Sequence, residues 1–194
     1  FVKLKMINSQ FSPWPSFTLE EANSVKNILL SNKVNYWTGN ECREFEKEFA
    51  FWSNTKYAIA LGNGTLALDS ALKALDISYG DEVIVTSRTY ISSVSSIVNA
   101  GATPIFADVD LNSQNIKIDS VKSSINKKTK AIVCVHLAGW PCEMDEINSL
   151  AKEFDLYIIE DCAQAHGAKY KNKPVGSIGD IGCWSFCQDK IMTT

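Results

Sequence analysis

The sequence lacks an excess of positive charge: 19 lysines and arginines face 22 aspartates and glutamates, a formal net charge of -3. A non-specific nucleic-acid binder needs a basic surface, so no nucleic-acid partner is expected. No uninterrupted apolar stretch approaches the ~20 residues that span a bilayer as a helix, and Phe1–Lys5 lacks the apolar core of a signal peptide. The expectation is therefore a cytoplasmic protein with no membrane partner. Internal repeats and low-complexity linkers are missing too. So is a disulfide framework. The six cysteines stand at 42, 134, 142, 162, 183 and 187. Three lie within or beside apolar runs, where cysteine behaves as a small hydrophobe, and a reducing cytosol disfavours pairing. Cys162-x3-His166 followed by Cys183-x3-Cys187 offers four metal-ligating side chains, but the spacing misses the C-x2-C knuckle of structural zinc sites. No metal is expected.

What is present is an ordinary globular composition, 45% hydrophobic and 21% charged over 194 residues, enough for one substantial core. Thr18 with Glu21 three residues on forms a capping-box start, followed by Leu19, Ala22, Val25, Ile28 and Leu29 at helical spacing. A second helix is expected over 40–52, with Phe45, Phe49 and Trp52 on one side, and a loop over Asn35–Gly39 between the two. From residue 57 short apolar runs alternate with helical segments. Strands are expected at Tyr57–Leu61, Val83–Val85, Pro104–Phe106, Ala131–Val135, Leu156–Ile159 and Gly182–Phe186, with helices over 65–75, 91–99 and 144–154. Continuous apolar strands separated by amphipathic helices predict a mostly parallel sheet covered on both faces, a three-layer α/β/α sandwich. Lys169–Ile178 reads as a hairpin excursion. The division expected is an N-terminal helical segment over 1–54 and an α/β domain over 55–194. The last residues, Ile191–Thr194, carry no closing cap or polar tail, and the chain reads as cut in mid-structure.

In such sheets ligands bind beyond the carboxyl ends of the strands. Gly62-Asn63-Gly64-Thr65-Leu66-Ala67 fits the G-x-G-x-x-A dinucleotide fingerprint, and Arg88 could serve a 2′-phosphate, so an NAD(P)-dependent oxidoreductase stays open. The same glycines and helix-start N–H groups would bind any phosphate, or form only a tight turn. Asp161 ends an apolar run, where a carboxylate either caps the next turn or awaits a cation. Lys190 follows Gly182–Phe186. It is either a solvated surface charge or a partly desolvated amine able to form an imine. Tyr90 could lie on a flat heterocycle or pack in the core. His136 reads as a core histidine sooner than as a base.

Taken together, Gly64-Thr65, Thr89-Tyr90, Glu160–Ala165 and Ser185-Phe186-x3-Lys190 resemble the DegT/StrS nucleotide-sugar aminotransferases, within the fold-type I pyridoxal-phosphate enzymes. Gly80–Ile84, Gly101–Asp110 and Val135–Gly139 extend the likeness over nearly the whole chain. The resemblance implies the large domain of that fold in incomplete form, without its smaller C-terminal domain and inactive alone. It implies pyridoxal 5′-phosphate as cofactor and Lys190 as its covalent anchor and proton carrier. Asp161 would pair with the pyridinium nitrogen, Gln164 would lie near the phenolic oxygen, and Tyr90 would stack on the ring. Thr65, the Leu66 amide and Ser185 would hold the phosphate. The reaction implied moves an amino group, from an amino-acid donor such as glutamate, to a nucleotide-diphosphate 4-keto-6-deoxy sugar, in a homodimer. A non-catalytic binding module of the same fold remains the other alternative.

Overall fold

The computed structural model describes residues 13–193. The chain forms two compact units, Phe1–Asn40 and Glu41–Thr194. In the first, helix α1 (Leu19–Leu30) starts at Thr18, whose hydroxyl accepts from the Glu21 N–H while the Glu21 carboxylate takes the Thr18 N–H at 2.6 Å. Two orphan donors of the first turn are thus satisfied reciprocally, as the capping box requires. Beyond α1, the Asn35 side chain accepts from the Trp37 and Thr38 N–H groups and fixes the expected loop.

The second unit is built on five parallel strands: β1 (Glu82–Thr86), β2 (Thr103–Ala107), β3 (Thr129–Val135), β4 (Tyr157–Asp161) and β7 (Ile181–Cys183). They run side by side in the order β2-β1-β3-β4-β7. Alternation along each strand sends side chains to opposite faces. Val83, Val85, Ala131, Val133 and Val135 pack beneath helices α3 (Gly64–Ala74) and α4 (Ser92–Asn99). Ile84, Ile132, Cys134 and Ile158 pack beneath α5 (Ile118–Ser124) and α6 (Met144–Phe154). The result is the expected three-layer α/β/α sandwich. The short helix α5 has no counterpart in the expected elements, since seven residues span too few turns for a clear period. Helix α2 (Glu41–Ser53) stays with this unit, where Phe49 meets the Trp184 and Phe186 rings edge-on.

Two small strands, β5 (Lys169–Tyr170) and β6 (Lys173–Pro174), form the expected hairpin, and both turn residues, Lys171 and Asn172, are left-handed at φ 46° and 68°. Positive φ at both central positions is the twist-matching geometry of a two-residue hairpin turn. The expected strand Tyr57–Leu61 joins no ladder among the described residues. Its Tyr57 and Ile59 side chains are 73% and 78% exposed. An apolar run specifies a strand only when a neighbour supplies hydrogen-bond partners. Among the described residues no strand lies beside this one, and its Ala60 N–H goes instead to the Glu46 carboxylate at 2.9 Å.

Candidate active site

The chain leaves β1 for the edge strand β2, then crosses back to β3, so the sheet order reverses between β1 and β3. Crevices at such reversals, outside the carboxyl ends, are where open α/β sheets bind ligands. The segments that emerge there are Thr86–Tyr90 after β1 and His136–Gly139 after β3, with Cys162–His166 after β4 alongside.

Asp161 is the last residue of β4 and is 6% exposed. Its Oδ2 accepts the Ser93 hydroxyl at 2.6 Å and its Oδ1 the Ala163 N–H at 3.1 Å. Because the Ser93 proton is committed to the carboxylate, Thr89 Oγ1, at 2.8 Å from Ser93 Oγ, is the donor of that pair. Two hydroxyls in series therefore orient Asp161. Neither contact neutralises it, and no cationic group pairs with it among the described residues. A buried carboxylate in that condition is complementary to a cation from outside the chain. Of the two sequence readings of Asp161, the turn cap is seen directly, in the Ala163 N–H that Oδ1 accepts.

Lys190 stands in the segment beyond β7, with its side chain only 16% exposed. Its Nζ is 3.1 Å from Asp189 Oδ2 and 6.0 Å from the centre of the Tyr90 ring. Lys190, Asp189, Gln164, Ala138 and Ile191 line one open cavity of about 350 Å³. Tyr90, 66% exposed, is not a core residue, so the packing alternative for it falls. Residues 90, 161, 164 and 190, from three separate parts of the sequence, are thus linked through a short chain of contacts. Tyr90 reaches Lys190 directly, Gln164 shares its cavity, and the Tyr90 carbonyl accepts from the N–H of Ser93, which holds Asp161.

The third part of the site is the start of α3. Gly64 lies so close to the loop after β7 that a methyl there would sit 2.8 Å from Ser185 Cβ and 3.0 Å from the Trp184 carbonyl oxygen. Only a residue without a side chain fits. Thr65 Oγ1 is 2.6 Å from Ser92 Oγ, so Thr65, Ser92 and Ser185 cluster around that helix start, where free N–H groups favour an anion. One expectation changes. The Leu66 N–H is engaged by the Asn63 side chain at 2.9 Å as a helix cap, and Gly64 and Thr65 are left as the N–H groups with no partner among the described residues. The set fits pyridoxal phosphate: an anion cradle, a buried unpaired acid, a shielded amine and an exposed aromatic face. Ser92 and Ser93 were not singled out in the sequence, where a serine-rich helix start carries no visible partner. Their burial and mates across the fold give them away.

His136 is fully buried and supports the site from behind. The Cys142 N–H can only donate, so His136 Nδ1 accepts it at 3.1 Å and the ring proton sits on Nε2, 2.9 Å from Glu160 Oε2. Glu160 also accepts the N–H groups of Gly176, Ile178 and Gly179 at 2.7–2.8 Å. Burial pushes this carboxyl up, but His136 and the Gly179 and Gly176 amides more than offset it and hold Glu160 below its ordinary value. His136 is thus a satisfied core histidine. His136, Glu160 and Cys162 are the one trio of ligating side chains brought within 4.8 Å among the described residues, and the imidazole has no lone pair left for a metal. The four residues weighed in sequence as metal ligands do not form a cluster of their own. Burial also raises the Cys142 thiol to about 12, with the Glu160 charge adding to it.

Comparison with known proteins matches residues 15–194 to the model of the DegT/DnrJ/EryC1/StrS aminotransferase family. GDP-perosamine synthase of Escherichia coli O157:H7 is 48% identical over 180 residues, covering 93% of this chain and 49% of that protein. dTDP-3-amino-3,6-dideoxy-alpha-D-galactopyranose transaminase of Aneurinibacillus thermoaerophilus is 42% identical over 186 residues, 96% of this chain and 49% of that protein. Among solved structures, an aminotransferase from Psychrobacter cryohalolentis superposes with a TM-score of 0.93 at 68% identity, over 95% of this chain and 47% of that one. Structural matches also include PLP- and PMP-forms of one Streptococcus pneumoniae protein. The chain spans about half the length of the curated relatives it matches.

Proposed function

The chain belongs to the DegT/DnrJ/EryC1/StrS aminotransferase family, and from that premise we propose that it carries the cofactor-binding part of a pyridoxal-phosphate-dependent nucleotide-sugar transaminase. The observation that carries the proposal is a chain of contacts: Asp161, a buried acid with no cation beside it among the described residues, is held by Ser93, whose N–H donates to the Tyr90 carbonyl, and the Tyr90 ring lies 6.0 Å from the Nζ of the shielded Lys190. Family membership also speaks against the nicotinamide reading of Gly62–Ala67, which needs a paired strand before the turn, whereas residues 57–61 join no ladder among the described residues.

In this reading Lys190 would be the residue that anchors the cofactor, and its amine would hold and move the proton during the reaction. Asp161 would hold the ring nitrogen's proton, Gln164 would serve the phenolic oxygen and Tyr90 would cover a ring face. Thr65 and Ser185, with the N–H groups opening α3, hold the phosphate, and the Leu66 amide serves there only by leaving Asn63. When bound, the cofactor supplies an electron-accepting ring that stabilises negative charge at the adjacent carbon. The substrates proposed are glutamate, as donor, and a nucleotide-diphosphate 4-keto-6-deoxyhexose destined for surface polysaccharide or another glycoconjugate. The relatives named for GDP-perosamine and for a dTDP-linked amino sugar support that class. A cytoplasmic homodimer, with residues 55–194 as the cofactor domain and 1–54 as a helical segment, completes the proposal. No helix among the described residues is long and apolar enough to cross a membrane.

The test is spectroscopic. Incubation with pyridoxal phosphate is expected to give a visible band that borohydride abolishes, with the label on the peptide containing Lys190. Persistence of that band in Lys190→Ala would show that another amine is the anchor and refute the assignment. A tight nicotinamide complex with no visible band would favour the oxidoreductase instead.

A further inference from the structure

A glutamine amide can face a ligand with either its oxygen or its NH2 group, and the two orientations have the same shape. The surroundings must choose. Beside Lys190 the Ala138 backbone N–H donates to Gln164 Oε1 at 2.8 Å. Since that N–H cannot accept, the Gln164 NH2 group is turned away from it, and it has no acceptor among the described residues.

The Ala138 N–H reaches Gln164 because the Leu137–Gly139 turn is wound tightly, with Ala138 at φ 52° and Gly139 at φ 82°. A left-handed alanine persists only where its surroundings over-determine it. Asn115, 3% exposed, supplies that constraint. Its Oδ1 accepts the Leu137 N–H at 3.2 Å and its Nδ2 donates to the Trp140 carbonyl at 2.8 Å, so one amide clamps both ends of the turn. Asn115 does not line the cavity beside Lys190. It sits in the loop closed by the Val109–Ile116 bridge, and any effect it has on the cavity passes through the turn.

We propose that Asn115 is a positioning residue for the Lys190 cavity: by clamping the Leu137–Trp140 turn it aims the Ala138 N–H at Gln164 and commits the Gln164 amide to offer the ligand a donor. The ligand atom that belongs there is a hydrogen-bond acceptor, such as a phenolate oxygen. This deepens the pyridoxal-phosphate reading and rests on it.

The experiment is a double-mutant cycle in the full-length protein, loaded with pyridoxal phosphate, in which the pH midpoint of the visible band is titrated. Gln164→Leu removes the donor to the phenolic oxygen. The adjacent nitrogen then keeps its proton more tightly, and the midpoint is expected to rise by about one pH unit, the size of one hydrogen bond to a charged group. Asn115→Ala is expected to shift it in the same direction by less, and to add nothing in the Gln164→Leu background. Asn115→Ser, which stays neutral and polar but is too short to hold both Leu137 and Trp140, gives a shift of the same sign and serves where the alanine variant does not fold. An equal Asn115→Ala shift in both backgrounds, or folded Asn115 variants with an unmoved midpoint, overturns the proposal. Absence of a borohydride-fixed band on Lys190 in the unmodified protein overturns the cavity reading itself, and is seen before any variant is made.

Discussion

Replacing Glu160 by glutamine tests how much of the site's support hangs on one carboxylate. The substitution keeps the shape of the side chain and removes two things, the charge and half of the accepting capacity. Oε1 now receives Ile178 and Gly179, and Oε2 receives Gly176 and the His136 Nε2–H. In the variant one oxygen still serves two donors, while the NH2 end faces two buried N–H groups head-on. His136 cannot escape by moving its proton, because Nδ1 would then confront the Cys142 N–H. Two buried donors left without acceptors cost about 1–3 kcal/mol each, so the variant should lose roughly 2–6 kcal/mol. That is a large part of the roughly 5–15 kcal/mol that holds a domain together. Urea unfolding at pH 7, comparing midpoints at constant slope, reads it. The same stabilisation has a pH signature. Because the folded carboxyl lies below its ordinary value of 4.5, its contribution is complete above pH 4.5 and is lost as pH falls through the folded value. Glu160→Gln should therefore flatten this part of the wild-type acid limb. A loss below about 1 kcal/mol at neutral pH would refute the four-donor account.

Gly64→Ala places a methyl 2.8 Å from Ser185 Cβ, so binding of pyridoxal phosphate, followed by fluorescence, should weaken by at least about tenfold, the ~1.4 kcal/mol equivalent of a modest displacement; unchanged affinity would remove Gly64 from the cradle. His166 packs against the Trp184 and Phe186 rings, where burial holds it below its ordinary value of 6.5, aided by the Lys190 charge and opposed by the Ser185 backbone. The unfolded chain therefore takes up a proton first, and stability should fall as pH drops below 6.5 toward the folded value; His166→Phe should lose that slope in urea midpoints measured between pH 7.5 and about 5.5, and an unaltered slope would show that another group titrates.

The sheet and its helices were legible because burial of both faces leaves a strong trace: runs such as Ala131–Val135 can only be strands covered above and below. Caps are equally local, and Thr18 with Glu21 declared the start of α1 without help from the rest of the chain. Tyr57–Leu61 shows where that reasoning stops, since a strand exists only by virtue of its neighbour. Leu66 shows it at the site: the residue type says nothing of which acceptor its N–H meets, and the choice fell to Asn63.

By itself, then, the sequence determined the layered α/β architecture and offered candidate chemical parts beyond the strands, Asp161 and Lys190 among them. Only the tertiary structure decided how those parts are held: the Thr89–Ser93 relay onto Asp161, the Gly64–Ser185 contact, the Asn115 clamp and the proton on His136 Nε2. The reason is physical. Hydrophobic periodicity is written residue by residue along the chain, whereas a hydrogen bond between positions 93 and 161 is a property of two segments meeting, and nothing local to either one records its partner.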